Sequence, residues 1–84
     1  MSEWDAEIDA VGLLCPLPVL KAQKLLQAMA EDGVLRLLAS DPASWVDVSH
    51  FCATGGHVLL SATDEAGTKT YLIRKGKAPH RHGA

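Results

Sequence analysis

Glu3-Trp4-Asp5-Ala6-Glu7-Ile8-Asp9-Ala10, continued by Val11-Gly12-Leu13-Leu14-Cys15-Pro16-Leu17-Pro18, contains the switch of periodicity on which the fold turns. In its first half, apolar Trp4, Ala6, Ile8 and Ala10 alternate with acidic Glu3, Asp5, Glu7 and Asp9. A period of two is that of a strand with one buried face. Gly12 breaks the run, and beyond Pro18 the apolar residues fall at Val19, Ala22, Leu26 and Met29, the spacing of one helix face. Lys21, Lys24 and Glu31 lie on the opposite side, and Leu20 fits the buried face poorly. This helix is predicted to end at about Asp32-Gly33, where glycine can serve the C-terminal turn.

Further along the chain, Val34-Leu35-Arg36-Leu37-Leu38-Ala39 is short and nearly all apolar, as expected of a central strand buried on both faces and parallel to the first. Ser40-Asp41-Pro42 then places a capping carboxylate before a proline suited to the first helical position. In the second, shorter helix Trp45, Val48 and Cys52 share one face, and Gly55-Gly56 ends it. The β-rich runs His57 to Thr63 and Thr68 to Arg74, joined by Asp64-Glu65-Ala66-Gly67, read as a hairpin. The expected fold is an α/β (α+β) two-layer sandwich in the order β-α-β-α-β-β. A four-stranded mixed sheet carries both helices on one face, through right-handed crossovers.

A length of 84 residues suits one domain, near the lower limit at which a single core suffices. That domain is expected over residues 1–76; residues 77–84 lack apolar periodicity and read as a mobile tail. A net charge of −2 leaves no basic excess, so direct nucleic-acid binding is not expected. No apolar run approaches the roughly 20 residues of a membrane span, and the acidic N-terminus lacks a basic signal-peptide region. A soluble, cytoplasmic monomer with no membrane association is expected. Two cysteines are too few for a disulfide framework, and in a reducing compartment both are expected as free thiols.

Cys15 falls between the first strand and the first helix. A helix N-terminus offers unpaired N–H groups and the positive end of the helix dipole, so the thiol is predicted to be more acidic than the free value of about 8.5. If Cys15 is the cap residue, Pro16 and Pro18 have no N–H to give, and Leu17 N–H is left as the donor to sulfur. Pro18 also disfavours helical angles at Leu17, so a helix beginning one turn later fits the residues equally. In either register the prolines hold the cysteine in a stiff, exposed position. The residues alone leave open a second reading, in which Cys15 is an ordinary small hydrophobe and the prolines merely start a helix.

The run Asp9 to Leu14 followed by Cys15-Pro16-Leu17-Pro18-Val19 resembles the C-P-x-P signature of the TusA/SirA-like sulfur-carrier family. The resemblance continues through Asp41-Pro42, Phe51-Cys52 and Tyr71-Leu72-Ile73-Arg74-Lys75-Gly76, and covers about residues 5–76. It implies a sulfurtransferase that accepts sulfane sulfur as a persulfide on Cys15, with no cofactor beyond that covalent sulfur. Gly12, Pro16, Leu17 and Pro18 would shape the motif. The implied partners are a sulfur donor such as a cysteine desulfurase or rhodanese and a downstream acceptor protein. Pathways of this kind end in tRNA thiolation, cofactor assembly or sulfur oxidation. Leu14 and Leu17 stand where some members have arginine and glutamate, which bears on the choice of partner.

Two other functions suit the same residues: a non-catalytic regulatory module that uses the C-P-x-P segment as a docking epitope, and a thiol redox sensor. Cys52, on an apolar face, reads as core packing, with a resolving thiol as the alternative. Asp41 reads as an N-cap. His50, Cys52 and His57 lack zinc-type spacing, so no metal site is expected, and His80 and His82 read as solvated. Lys21 and Lys24 are candidates for contact with an acidic docking surface on a donor.

Overall fold

Alternating burial orients the strands at Ala6–Ala10 and Val34–Ala39. The structure, a computed structural model, describes residues 3–76, so the tail expected at 77–84 lies outside the described residues. The elements are β1 (Ala6–Ala10), α1 (Leu17–Ala28), β2 (Val34–Ala39), α2 (Ser44–Gly55), β3 (Val58–Glu65) and β4 (Thr68–Arg74). They form one mixed sheet of order β1-β2-β4-β3. β1 runs parallel to β2 with Ala10 opposite Ala39. β4 lies antiparallel between β2 and β3, with Leu35 facing Ile73 and Leu37 facing Tyr71. The β-α-β-α-β-β sandwich expected from the sequence is the fold observed.

One core joins the two layers. Ala22 and Leu26 of α1 and Val48 and Cys52 of α2 meet Leu35, Leu37, Tyr71 and Ile73 of the sheet. β2 is not buried on both faces. Leu35, Leu37 and Ala39 are buried, whereas Val34, Arg36 and Leu38 are half-buried, because the helices cover one face only.

Both tryptophans depart from the expected pattern. Trp4 precedes β1, and its ring lies 4.6 Å from the guanidinium of Arg36, which pairs with Glu7 on the side away from the helices. In α2 the inward positions are Ser44, Val48 and Cys52, four residues apart. Trp45 is about 100° further round the helix. It remains 51% exposed, stacked on Tyr71 at 6.5 Å. Ser44 takes the inward place because its hydroxyl has a buried partner, the Tyr71 hydroxyl at 2.6 Å.

Three boundaries also differ. α1 stops at Ala28 with Met29 extended as its C-cap, and Asp32 rather than Gly33 takes the left-handed conformation on the way to β2. Asp41 and Pro42 precede α2 rather than start it, since the cap residue is Ala43. The hairpin turn is the pair Ala66-Gly67 at φ 53° and 88°, which suits the twist of the flanking strands, so β3 runs on to Glu65. Gly56, at φ 76°, closes α2 as expected.

His57 ties Gly76, just beyond β4, to this frame. Its ring packs 5.2 Å from that of Phe51, and Nδ1 accepts the Gly76 N–H at 3.1 Å. Burial, aided by the charge of Lys75, lowers its pKa from the ordinary 6.5. The contact requires neutral imidazole, and the unfolded chain takes up the proton at higher pH than the folded one. Its contribution to stability is therefore complete above about pH 6.5 and is lost as pH falls through the lower folded value. Melts between pH 7 and pH 5 should show a fall in Tm that is shallower in His57→Gln; equal slopes would remove His57 as the cause.

Candidate functional site

Parallel pairing decides what meets at the site. Because Ala10 lies opposite Ala39, the loops that follow β1 and β2 leave the same end of the sheet. In the first loop, Leu13 N–H donates to Ala10 O at 3.1 Å, and Gly12, at φ 89°, turns the chain so that its N–H reaches Ser40 Oγ at 2.9 Å. Glycine tolerates that left-handed angle without a Cβ penalty. The two loops are thus joined just ahead of Cys15.

α1 takes neither register expected from the sequence. Pro16 is its cap residue, Leu17 its first helical residue and Pro18 its second, so Cys15 lies one residue before the cap. Prolines are tolerated there because first-turn N–H groups have no intrahelical partner. Leu17 N–H donates to Leu14 O at 2.9 Å and is not available to the sulfur. The Cys15–Pro16 peptide is cis. Cys15 itself is exposed, flanked by Leu14 at 70% and Leu17 at 46% exposure.

Two carboxylates from the second loop and α2 hold this cysteine. Asp41 Oδ2 accepts the Cys15 N–H at 2.6 Å, and Asp41 Oδ1 accepts the Ala43 N–H at 2.9 Å. Those bonds, that of Cys15 first, lower the Asp41 pKa from the carboxylate norm. Asp41 is therefore a tie between the loops rather than the N-cap of α2. From the first turn of α2, Asp47 Oδ2 accepts the Cys15 Sγ–H.

The predicted acidity of Cys15 is reversed as a result. Its pKa is raised, first by the hydrogen bond to Asp47, then by desolvation and by the charges of Asp47 and Asp41. Among the described residues, no backbone N–H bonds to the sulfur to offset them, since two prolines have none and Leu17 has spent its own. Pro16 and Asp47, the neighbour and the partner of Cys15, line with Val19, Val46, His50 and Phe51 an open cleft of about 440 Å³ between the helices.

The remaining candidates are not gathered here. Cys52 is 4% exposed, and burial pushes its thiol up to about 11, as befits a core residue. Lys21 and Lys24 are exposed on the flank of α1 toward β1, where they rim a shallow groove with Ile8, Leu25 and Ala28. Cys15 faces α2 instead. His50 lines the cleft and His57 binds Gly76. Among the described residues, no three His, Cys, Asp or Glu side chains gather in a way that would hold a metal; His80 and His82 lie outside those residues. Sequence reasoning missed Asp47, whose one local signal was an acidic residue in the first turn of a helix.

The family model described as Sulfurtransferase TusA matches residues 6–75, which span the whole sheet and both helices. The chain belongs to the TusA family. Similar proteins include the sulfur carrier protein TusA of Pseudomonas entomophila, 46% identical over 71 residues, covering 84% of this chain and 89% of that one. The sulfur carrier protein TusA of Allochromatium vinosum is 43% identical over 75 residues, covering 89% and 99% respectively. Among solved structures, the SirA-like protein of Desulfitobacterium hafniense superposes with a TM-score of 0.77 at 27% identity, covering 87% of this chain and all of that one. The TusA-family assignment thus rests on sequence and fold together. In the described part of this TusA-family chain, no helix is long and apolar enough to cross a membrane.

Proposed function

We propose that this TusA-family chain is a sulfur carrier whose Cys15 accepts sulfane sulfur as a persulfide from a donor protein and passes it to an acceptor protein thiol. The observation that supports Cys15 is its exposure beside Pro16 and Asp47, which line the interhelical cleft, while the second cysteine is buried with its thiol pushed up to about 11. In loading, Cys15 sulfur attacks the outer sulfur of the donor persulfide. A new Sγ–S bond forms, the donor's S–S bond breaks, and the donor leaves as a thiol carrying the proton that Cys15 gave up. Exposed Leu14, Leu17 and Val46 around the thiol suit docking against a protein, which brings the two sulfurs together without water between them. The test is incubation with a cysteine desulfurase and cysteine, followed by peptide mass spectrometry. One added sulfur on the Cys15 peptide supports the reading, and an unloaded peptide overturns it.

Lys21 and Lys24 form part of the donor-docking surface in this proposal, through their charge on the exposed flank of α1. Exposed charges chiefly steer encounter. Lys21→Glu with Lys24→Glu should slow loading about tenfold through the association rate, with the difference shrinking as salt is added. Equal association rates at low salt would make that flank ordinary solvated surface.

A further inference from the structure

The tie between Cys15 and Asp47 has the form of a latch that only an unloaded cysteine can close. A thiol has one hydrogen to donate, and Asp47 Oδ2 receives it. A persulfide anion has none, and its terminal charge would meet a carboxylate at the same place. The backbone of Cys15 is meanwhile held by Asp41 and flanked by Pro16, so the freedom left to the sulfur is rotation of its own side chain. The titratable groups on this sulfur are Asp47 and Asp41, with His50 along the same cleft and Lys69 acting on Asp41; Gln23, on the α1 side, is neutral.

We propose that Asp47 secures the resting Cys15 thiol against α2 and, once sulfur is loaded, turns the persulfide outward and favours its discharge. This rests on the reading of Cys15 as the sulfur bearer. In discharge, an acceptor thiol attacks the outer sulfur of the Cys15 persulfide. The acceptor's S–S bond forms as the Sγ–S bond breaks, and the electron pair stays on Sγ. The proton released by the acceptor thiol passes through solvent to Sγ. Cys15 is again a thiol with a hydrogen for Asp47, and nothing is oxidised or reduced overall. Asp47 therefore favours the empty state over the loaded one, as suits a relay rather than a store.

Asp47→Asn and Asp47→Ala test this, with circular dichroism to establish folding. Alkylation of Cys15 by iodoacetamide, followed by peptide mass spectrometry across pH, should shift to lower pH in both variants and proceed about threefold faster at neutral pH. The gain in thiolate is partly offset by the lower nucleophilicity of a more acidic thiol. At equilibrium with glutathione, the fraction of Cys15 carrying sulfur should rise several-fold in Asp47→Asn, because an amide N–H can hold the persulfide where a carboxylate repels it and the thiol loses its charged partner. An unshifted alkylation profile, or an unchanged loaded fraction at equilibrium with glutathione, would overturn the role of Asp47 alone. Wild-type protein that takes up no sulfur would overturn the carrier reading, and the outward turn with it; the alkylation profile would still show whether the latch exists.

Discussion

Cys15→Ser should lose sulfur loading entirely while keeping its fold. The side chain is exposed and contributes little packing, so the change in stability should stay within about 0.5 kcal/mol. The backbone bond from residue 15 to Asp41 does not involve the sulfur, and a serine hydroxyl can still donate to Asp47. What serine lacks is a sulfur able to form an S–S bond. Cys52→Ala provides the contrast within the same molecule. It removes a buried atom group beside Val48 and should cost about 1 kcal/mol while loading persists. Labelled-sulfur transfer and a thermal melt on each variant check both halves. Loading by folded Cys15→Ser would end the carrier assignment, and its loss in folded Cys52→Ala would make Cys52 a second working thiol.

The largest loss of stability is expected from Leu37→Ala. Leu37 is fully buried at the centre of the sheet, opposite Ile8 on one neighbouring strand and Tyr71 on the other. Removing its isobutyl group loses the transfer energy of the buried carbons and leaves a cavity that the parallel and antiparallel neighbours cannot both close, costing about 2–5 kcal/mol. Against a total of about 5–15 kcal/mol for a domain, that is a large fraction. At about 4–8 °C per kcal/mol for a chain of this size, Tm should fall by at least about 8 °C. A drop under about 4 °C would place the packed centre of the core elsewhere.

Element order and the strand-to-helix junction at Cys15 were legible in the chain. The alternation from Glu3 to Ala10, the helical spacing from Val19 to Leu26 and the glycines at positions 12 and 56 are local signals, read within about one turn. The same locality explains the errors at Trp4 and Trp45. An apolar residue at the right spacing was assigned to the buried row, but a strand that starts at Ala6 and a helix that points Ser44 at Tyr71 leave those rings at the margin.

The sequence by itself determined the layering, the direction of the β1–β2 pair and the place of Cys15 just ahead of two prolines at the strand-to-helix junction, because periodicity and backbone restriction act between near neighbours. Tertiary structure alone decided the electrical setting of that thiol. Asp41 and Asp47 stand 26 and 32 residues beyond Cys15, and they reach it because parallel strands place successive loops at one end of the sheet. Electrostatic interaction depends on separation in space and not along the chain. A reading confined to the helix N-terminus thus found the favourable dipole and missed the two carboxylates that outweigh it.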